Sequence, residues 1–310
     1  MCKCSPGNRG HFKEHQVPAG IYANSLSFLN ADGSIDVSLT ESHALSLVKN
    51  GISGIFVGGN EAEIGRLEAT QTGLLLEHLR ILRGILKKED YDKYPLIAVI
   101  CTRDVQSAET LCKGAEVAGA SHVLVLPPLG ATDQSEVDSF FEDFMGSDTV
   151  DITVMICDSF AGPGISLRIL KDLATKDPVV GCCFPLGDSE KITQMKEDVC
   201  PSQFRFVVDT PSVYLSTLEL VAGTKGPGLA GALANIAPKV HRRLWASFEE
   251  GNLREAQGIQ VMLAEAERQG KQHKLGLAEL IRRIVKFGSS VVPDLPVAVV
   301  ALMNAEYSLP

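Results

Sequence analysis

Eight short apolar runs, separated by longer amphipathic stretches, constrain what this chain can fold into more than any other feature. They are Gly20 to Asn24, Gly54 to Gly58, Leu96 to Thr102, His122 to Leu126, Ile152 to Cys157, Val179 to Cys183, Phe204 to Asp209, and Pro227 to Ala232. Runs this short, apolar and β-branched read as strands. The stretches between them read as helices: Thr40 to Asn50, Thr70 to Leu86, Gln106 to Ala118, Gln134 to Met145, Ser166 to Ala174, Asp188 to Lys196 and Tyr214 to Ala222. Ser166 and Asp188 open theirs as caps.

Alternating strands and helices imply repeated units around a parallel sheet, and eight such units predict an α/β fold of the (β/α)8 TIM barrel type. The composition changes after the eighth run. Pro238 to Gly270 and His273 to Phe287 read as long helices, and Val291 to Pro310 carries Pro293 and Pro296 before a last helical turn or two. Three added helices predict a C-terminal helical extension packed on the barrel. The expected layout is a flexible tail over 1–17, the barrel over 18–237 and the extension over 238–310.

With 310 residues, 45% hydrophobic and 22% charged, the chain has ample apolar surface for one core. A net charge of −9 without a clustered basic face argues against nucleic acid as a partner. Lys87-Lys88 and Arg282-Arg283 are short and read as solvated. The start, Met1 to Gly10, has no apolar core of a secretion signal, and no apolar run approaches the ~20 residues of a membrane span. A cytoplasmic protein with no membrane partner is expected. The eight cysteines are scattered and do not form a disulfide framework. Cys2 and Cys4 lack a matching pair at zinc spacing, so neither a metal nor a cofactor is expected. Gly223-Thr224-Lys225-Gly226-Pro227-Gly228 reads as the start of a strand, since no phosphate-cradling Lys-Ser or Lys-Thr follows.

Several segments together carry a family pattern. They are Asp32-Gly33-Ser34-Ile35-Asp36, Gly51 to Gly59 with Glu63 and Leu67, Ala115 to Ala120, Asp177 to Gly181 with Gly187-Asp188, and Gly223 to Gly226 through Ala234 to Pro238. On these the chain resembles the dihydrodipicolinate synthase and N-acetylneuraminate lyase family of class I aldolases, from Pro18 to the C-terminus. The resemblance implies a lysine on the sixth strand that forms a Schiff base with a 2-oxo acid, and a proton-shuttling tyrosine on the fifth. The matching positions hold Cys183 and Cys157. A thiol adds to carbonyls but cannot form the iminium that stores carbanion charge.

The family's substrate-carboxylate loop, Gly-Thr-Thr-Gly-Glu, reads Gly59-Asn60-Glu61-Ala62-Glu63 here. Glu61 brings negative charge to that dock, and two like charges in contact repel by roughly 1 to 4 kcal/mol. The aromatic pair that follows the fourth strand in relatives is Leu129-Gly130, and the arginine that often follows the fifth has no match in Ser159 to Ser166.

Catalytic candidates are therefore Glu61, Cys183, Cys157 and Asp158, with Asn60, Glu63, Arg103, Tyr22 and Asn24 as substrate-binding candidates near strand ends. Each has a plainer reading. The cysteines fill space, Asp188 caps a helix, Arg103 pairs with Asp104 or Glu109, and Tyr22 is a core aromatic. Lys225 should lie on the opposite face of the barrel, and Lys191 and Lys196 on an outer helix, so none replaces the missing amine.

Three functional expectations follow. The first is an enzyme that performs noncovalent acid-base chemistry on a small metabolite: elimination, isomerisation, cyclisation or carbon-carbon cleavage. The second is a noncatalytic member that binds a metabolite or a related subunit. The third is residual 2-oxo acid lyase activity. The resemblance also implies a homo-oligomer, a dimer or tetramer.

Overall fold

The computed structural model describes residues 16–58, 71–147, 150–159, 162–198, 204–221, 226–289 and 292–310. Eight strands close into a barrel, each parallel to its neighbours, with β8 returning to β1. They are β1 Gly20–Asn24, β2 Gly54–Val57, β3 Leu96–Ile100, β4 His122–Val125, β5 Thr153–Cys157, β6 Val179–Cys183, β7 Arg205–Val208 and β8 Gly228–Gly231. Around them run α1 Val37–Lys49, α2 Gln71–Lys88, α3 Val105–Val117, α4 Gln134–Gly146, α5 Leu167–Leu173, α6 Ser189–Asp198 and α7 Tyr214–Leu220.

The strands are buried on both faces because alternate residues serve two cores. Leu96, Ala98, Val123, Val125, Val154 and Ile156 pack outward against the helices, whereas Ile97, Val99, Leu124, Met155 and Cys157 fill the barrel. Strand β6 breaks this alternation. Its register against β5 shifts between Val154 and Met155, so Val154 pairs with Val179 but Met155 with Gly181. The extra residue changes the phase: Val180 and Cys183 both join the inner cluster, and Cys182 joins the outer one.

Several helices start where the sequence supplies an acceptor. Asp36, Asp104, Asp133 and Ser166 each accept a backbone N–H from the first turn of the helix that follows. Asp188 Oδ1 likewise accepts from Lys191 N at 3.0 Å.

The floor of the barrel is sealed by Tyr22 and Arg205. Tyr22 donates its hydroxyl to Pro18 O. Arg205 Nε donates to Val17 O at 3.0 Å, and its Nη1 to Gly226 O. The Tyr22 ring fits because Gly54 and Gly228 flank it; a Cβ at either would stand 2.7 or 3.2 Å from ring carbons.

Past the barrel the described residues form four α-helices rather than three: α8 Pro238–Glu249, α9 Leu253–Gln272, α10 Gly276–Phe287 and α11 Val297–Ser308. The stretch expected as one helix over 238–270 breaks at Gly251, whose φ of +74° suits glycine, and restarts at Asn252, which caps α9. The last helix has 12 residues, well beyond a turn or two. Glu306 on α11 accepts from Lys239 N and Val240 N at 3.2 and 3.0 Å, tying the last helix to the start of α8. Arg282 on α10 donates to Ser27 O at 2.9 Å, which holds the β1–α1 loop at the barrel top.

Candidate functional site

At the C-terminal ends of the strands, Phe56, Val99, Leu124 and Ala230 surround a small cavity with Cys183, Asn24 and Asp209 as its polar edge. Its volume is about 10 Å³, room for about one water. Leu129 packs against the inner cluster beside it.

Asp209 follows β7 directly and meets Asn24, the last residue of β1, whose Nδ2 donates to Asp209 Oδ2 at 3.0 Å. Asn24 is itself held. Asn235 Nδ2 donates to Asn24 O at 2.9 Å and to Ala232 O at 2.8 Å, while Asn235 Oδ1 lies 3.0 Å from His43 Nε2. With the amide as donor on one side, its oxygen accepts, so His43 carries the Nε2 proton. Burial lowers the His43 pKa, consistent with a neutral ring. A chain of side chains from α1 thus orients a carboxylate at the mouth. Asn24 is one of the sequence candidates, whereas Asp209, Asn235 and His43 are not, although Asp209 ends the seventh apolar run, the position where this architecture places its chemistry.

Cys157 and Cys183 are paired residues on adjacent strands, and both thiols are free and buried. Burial pushes the Cys157 thiol well above its ordinary value, and its hydrogen bond with Cys183 pushes in the same direction. An activated nucleophile needs the opposite, a depressed pKa. Asp158, next along from Cys157, accepts from Lys191 Nζ at 2.8 and 3.0 Å and from Ile165 N at 3.0 Å. The structure places it in the wall of the β5–α5 loop, not on the cavity.

Tyr22 lies in the floor, at the opposite end from the mouth. Arg103 is exposed on the rim near Gly130, where its Nη1 would stand 3.5 Å from a Cβ. Asp104 accepts from Ser107 N and Oγ, both at 2.8 Å. Asn60, Glu61 and Glu63 lie outside the described residues. Among the described residues, no group of three His, Cys, Asp or Glu side chains is arranged to hold a metal ion, and no helix is long and apolar enough to cross a membrane.

The closed parallel barrel, with its polar edge at the strand ends, can be set beside known proteins. Residues 17–288 match the sequence profile of the Dihydrodipicolinate synthetase family. The chain belongs to this family. It is 27% identical over 253 residues to "Probable 4-hydroxy-2-oxoglutarate aldolase, mitochondrial" of Emericella nidulans, covering 80% of this chain and 79% of the relative. It is 26% identical over 264 residues to L-threo-3-deoxy-hexylosonate aldolase of Hypocrea jecorina, covering 81% of each. Dihydrodipicolinate synthase from Oceanobacillus iheyensis has the same fold, with a TM-score of 0.75 at 19% identity over 96% of this chain and 99% of that one. Family relatives are thus aldolases and lyases, while this member has Cys183 on β6 and Cys157 on β5.

Proposed function

We propose that the barrel mouth takes a small metabolite and acts on it by noncovalent acid-base chemistry, without a Schiff base. Elimination, isomerisation, cyclisation and carbon-carbon cleavage all fit, since each can proceed by proton transfer to or from a carbon or oxygen of the substrate. Asp209, fixed by Asn24, is the proton carrier, and Glu61, four residues past the end of β2 in the sequence, is the candidate for a second carboxylate. The single observation that supports this reading is the Asn24–Asp209 pair on a cavity whose lining, among the described residues, includes Cys183 and no lysine.

The relatives' names suggest hydroxylated 2-oxo acids and deoxy-sugar acids as first compounds to test. Turnover of such a panel, followed by proton NMR, is expected to fall at least about 100-fold in Asp209→Asn, the usual cost of removing a general acid or base. Unchanged turnover in that variant removes Asp209 from the reaction. A second reading, a noncatalytic binding protein, draws support from the narrow cavity, about 10 Å³. Saturable binding of a panel compound without conversion would favour it. We also propose a homo-oligomer, checked by light scattering.

A further inference from the structure

A much larger cleft than the one at the mouth lies at the other end of the barrel, against the N-terminal ends of β1 and β8. It encloses about 760 Å³ and is lined on one side by α8. That is a typical size for a small-molecule site. Arg242, Trp245, Ala246 and Glu249 line it at helical spacing, so one face of α8 forms a wall, with Leu218 and Val221 of the α7 end among the apolar residues facing it.

Two side chains on that wall are fixed by glycines. Gly51, with φ of +78°, lies under Arg242: a Cβ there would stand 2.9 Å from Cδ and Nε and 3.0 Å from Cζ. Arg242 Nη1 also donates to Asn50 O at 3.3 Å. Trp245 rests on Gly226, where a Cβ would come within 3.2 Å of the indole. Trp245 is half-buried and is the sole tryptophan of the chain. A large aromatic left partly open beside an anchored guanidinium is a platform for a ring and a donor fork for a carboxylate.

We propose that this cleft binds a small aromatic monocarboxylate, its ring on Trp245 and its carboxylate on Arg242. Glu249, seven residues on and thus about 10 Å along the helix, disfavours a second negative charge at the far end. The site is independent of the mouth, which opens on the opposite end of the barrel.

Because Trp245 stands alone, its emission reports the cleft directly. Titration of the full-length protein with 2-naphthoate is expected to quench it, and the neutral isostere 2-naphthylmethanol to bind at least tenfold more weakly. Arg242→Gln should weaken naphthoate at least tenfold and leave the alcohol unchanged. No quenching at millimolar naphthoate, equal affinity for acid and alcohol, or an Arg242→Gln variant with unaltered naphthoate affinity would each overturn the proposal. Should that variant fail to fold, the comparison of acid with alcohol on the native chain still decides. Naphthoate affinity lost in Asp209→Asn would place the ligand in the mouth and overturn it as well.

Discussion

Lys191 Nζ sits 2.8 Å from Asp158 Oδ1 and 3.0 Å from Oδ2, and it also donates to Ile165 O at 2.9 Å. With its three donors engaged, this lysine is a clamp between α6 and the β5–α5 loop, and the carboxylate beside Cys157 is its counterion. The pair is largely buried, with side-chain exposures of 20% and 12%. Lys191→Met leaves Asp158 charged and unpaired, so a loss of about 2 kcal/mol is expected, below the 3–5 of a fully buried pair. Urea unfolding measures it; native-like stability in the variant would contradict the clamp.

The Cys157 thiol at the end of β5 should be sluggish. Burial raises the Cys157 pKa, and its bond with Cys183 adds to the shift, so little thiolate exists near neutral pH. Alkylation of the folded protein by iodoacetamide, mapped by mass spectrometry, is expected to be at least about 100-fold slower at Cys157 than for glutathione. Labelling at the glutathione rate would restore Cys157 as a nucleophile.

Acid should destabilise the protein before its carboxylates titrate. Burial lowers His78 and His241 from 6.5 to about 4, and both rings have an Nε2 without a partner. Their folded pKa values lie below the unfolded ones, so the unfolded chain binds more protons between pH 6.5 and 4. Stability is therefore full above 6.5 and falls as pH drops through that window. The full shift is worth on the order of 3 kcal/mol per histidine. Melting temperatures of His241→Phe against the native chain should show a shallower acid slope in the variant; parallel slopes would exclude the ring.

Much of the barrel is legible in the sequence because a strand buried on both faces must be short and apolar throughout. The runs Gly20 to Asn24 and Val179 to Cys183 coincide with β1 and β6. What local pattern cannot carry is long-range register. Strict alternation puts Val180 and Cys182 on one face, yet the shift against β5 turns Cys183 inward instead. Asn24 and Asp209 are 185 residues apart, and only closure of the barrel makes them partners. The break between α8 and α9 is local but subtle: Gly251-Asn252 interrupts an otherwise continuous amphipathic stretch, and one glycine does not by itself end a helix.

The proposal that this family member works without an imine is tested most directly by reductive trapping. The full-length protein is incubated with pyruvate and sodium borohydride, and its intact mass is recorded. The expected mass is that of the unmodified chain. A 2-oxo acid reductively attached to any lysine would contradict it.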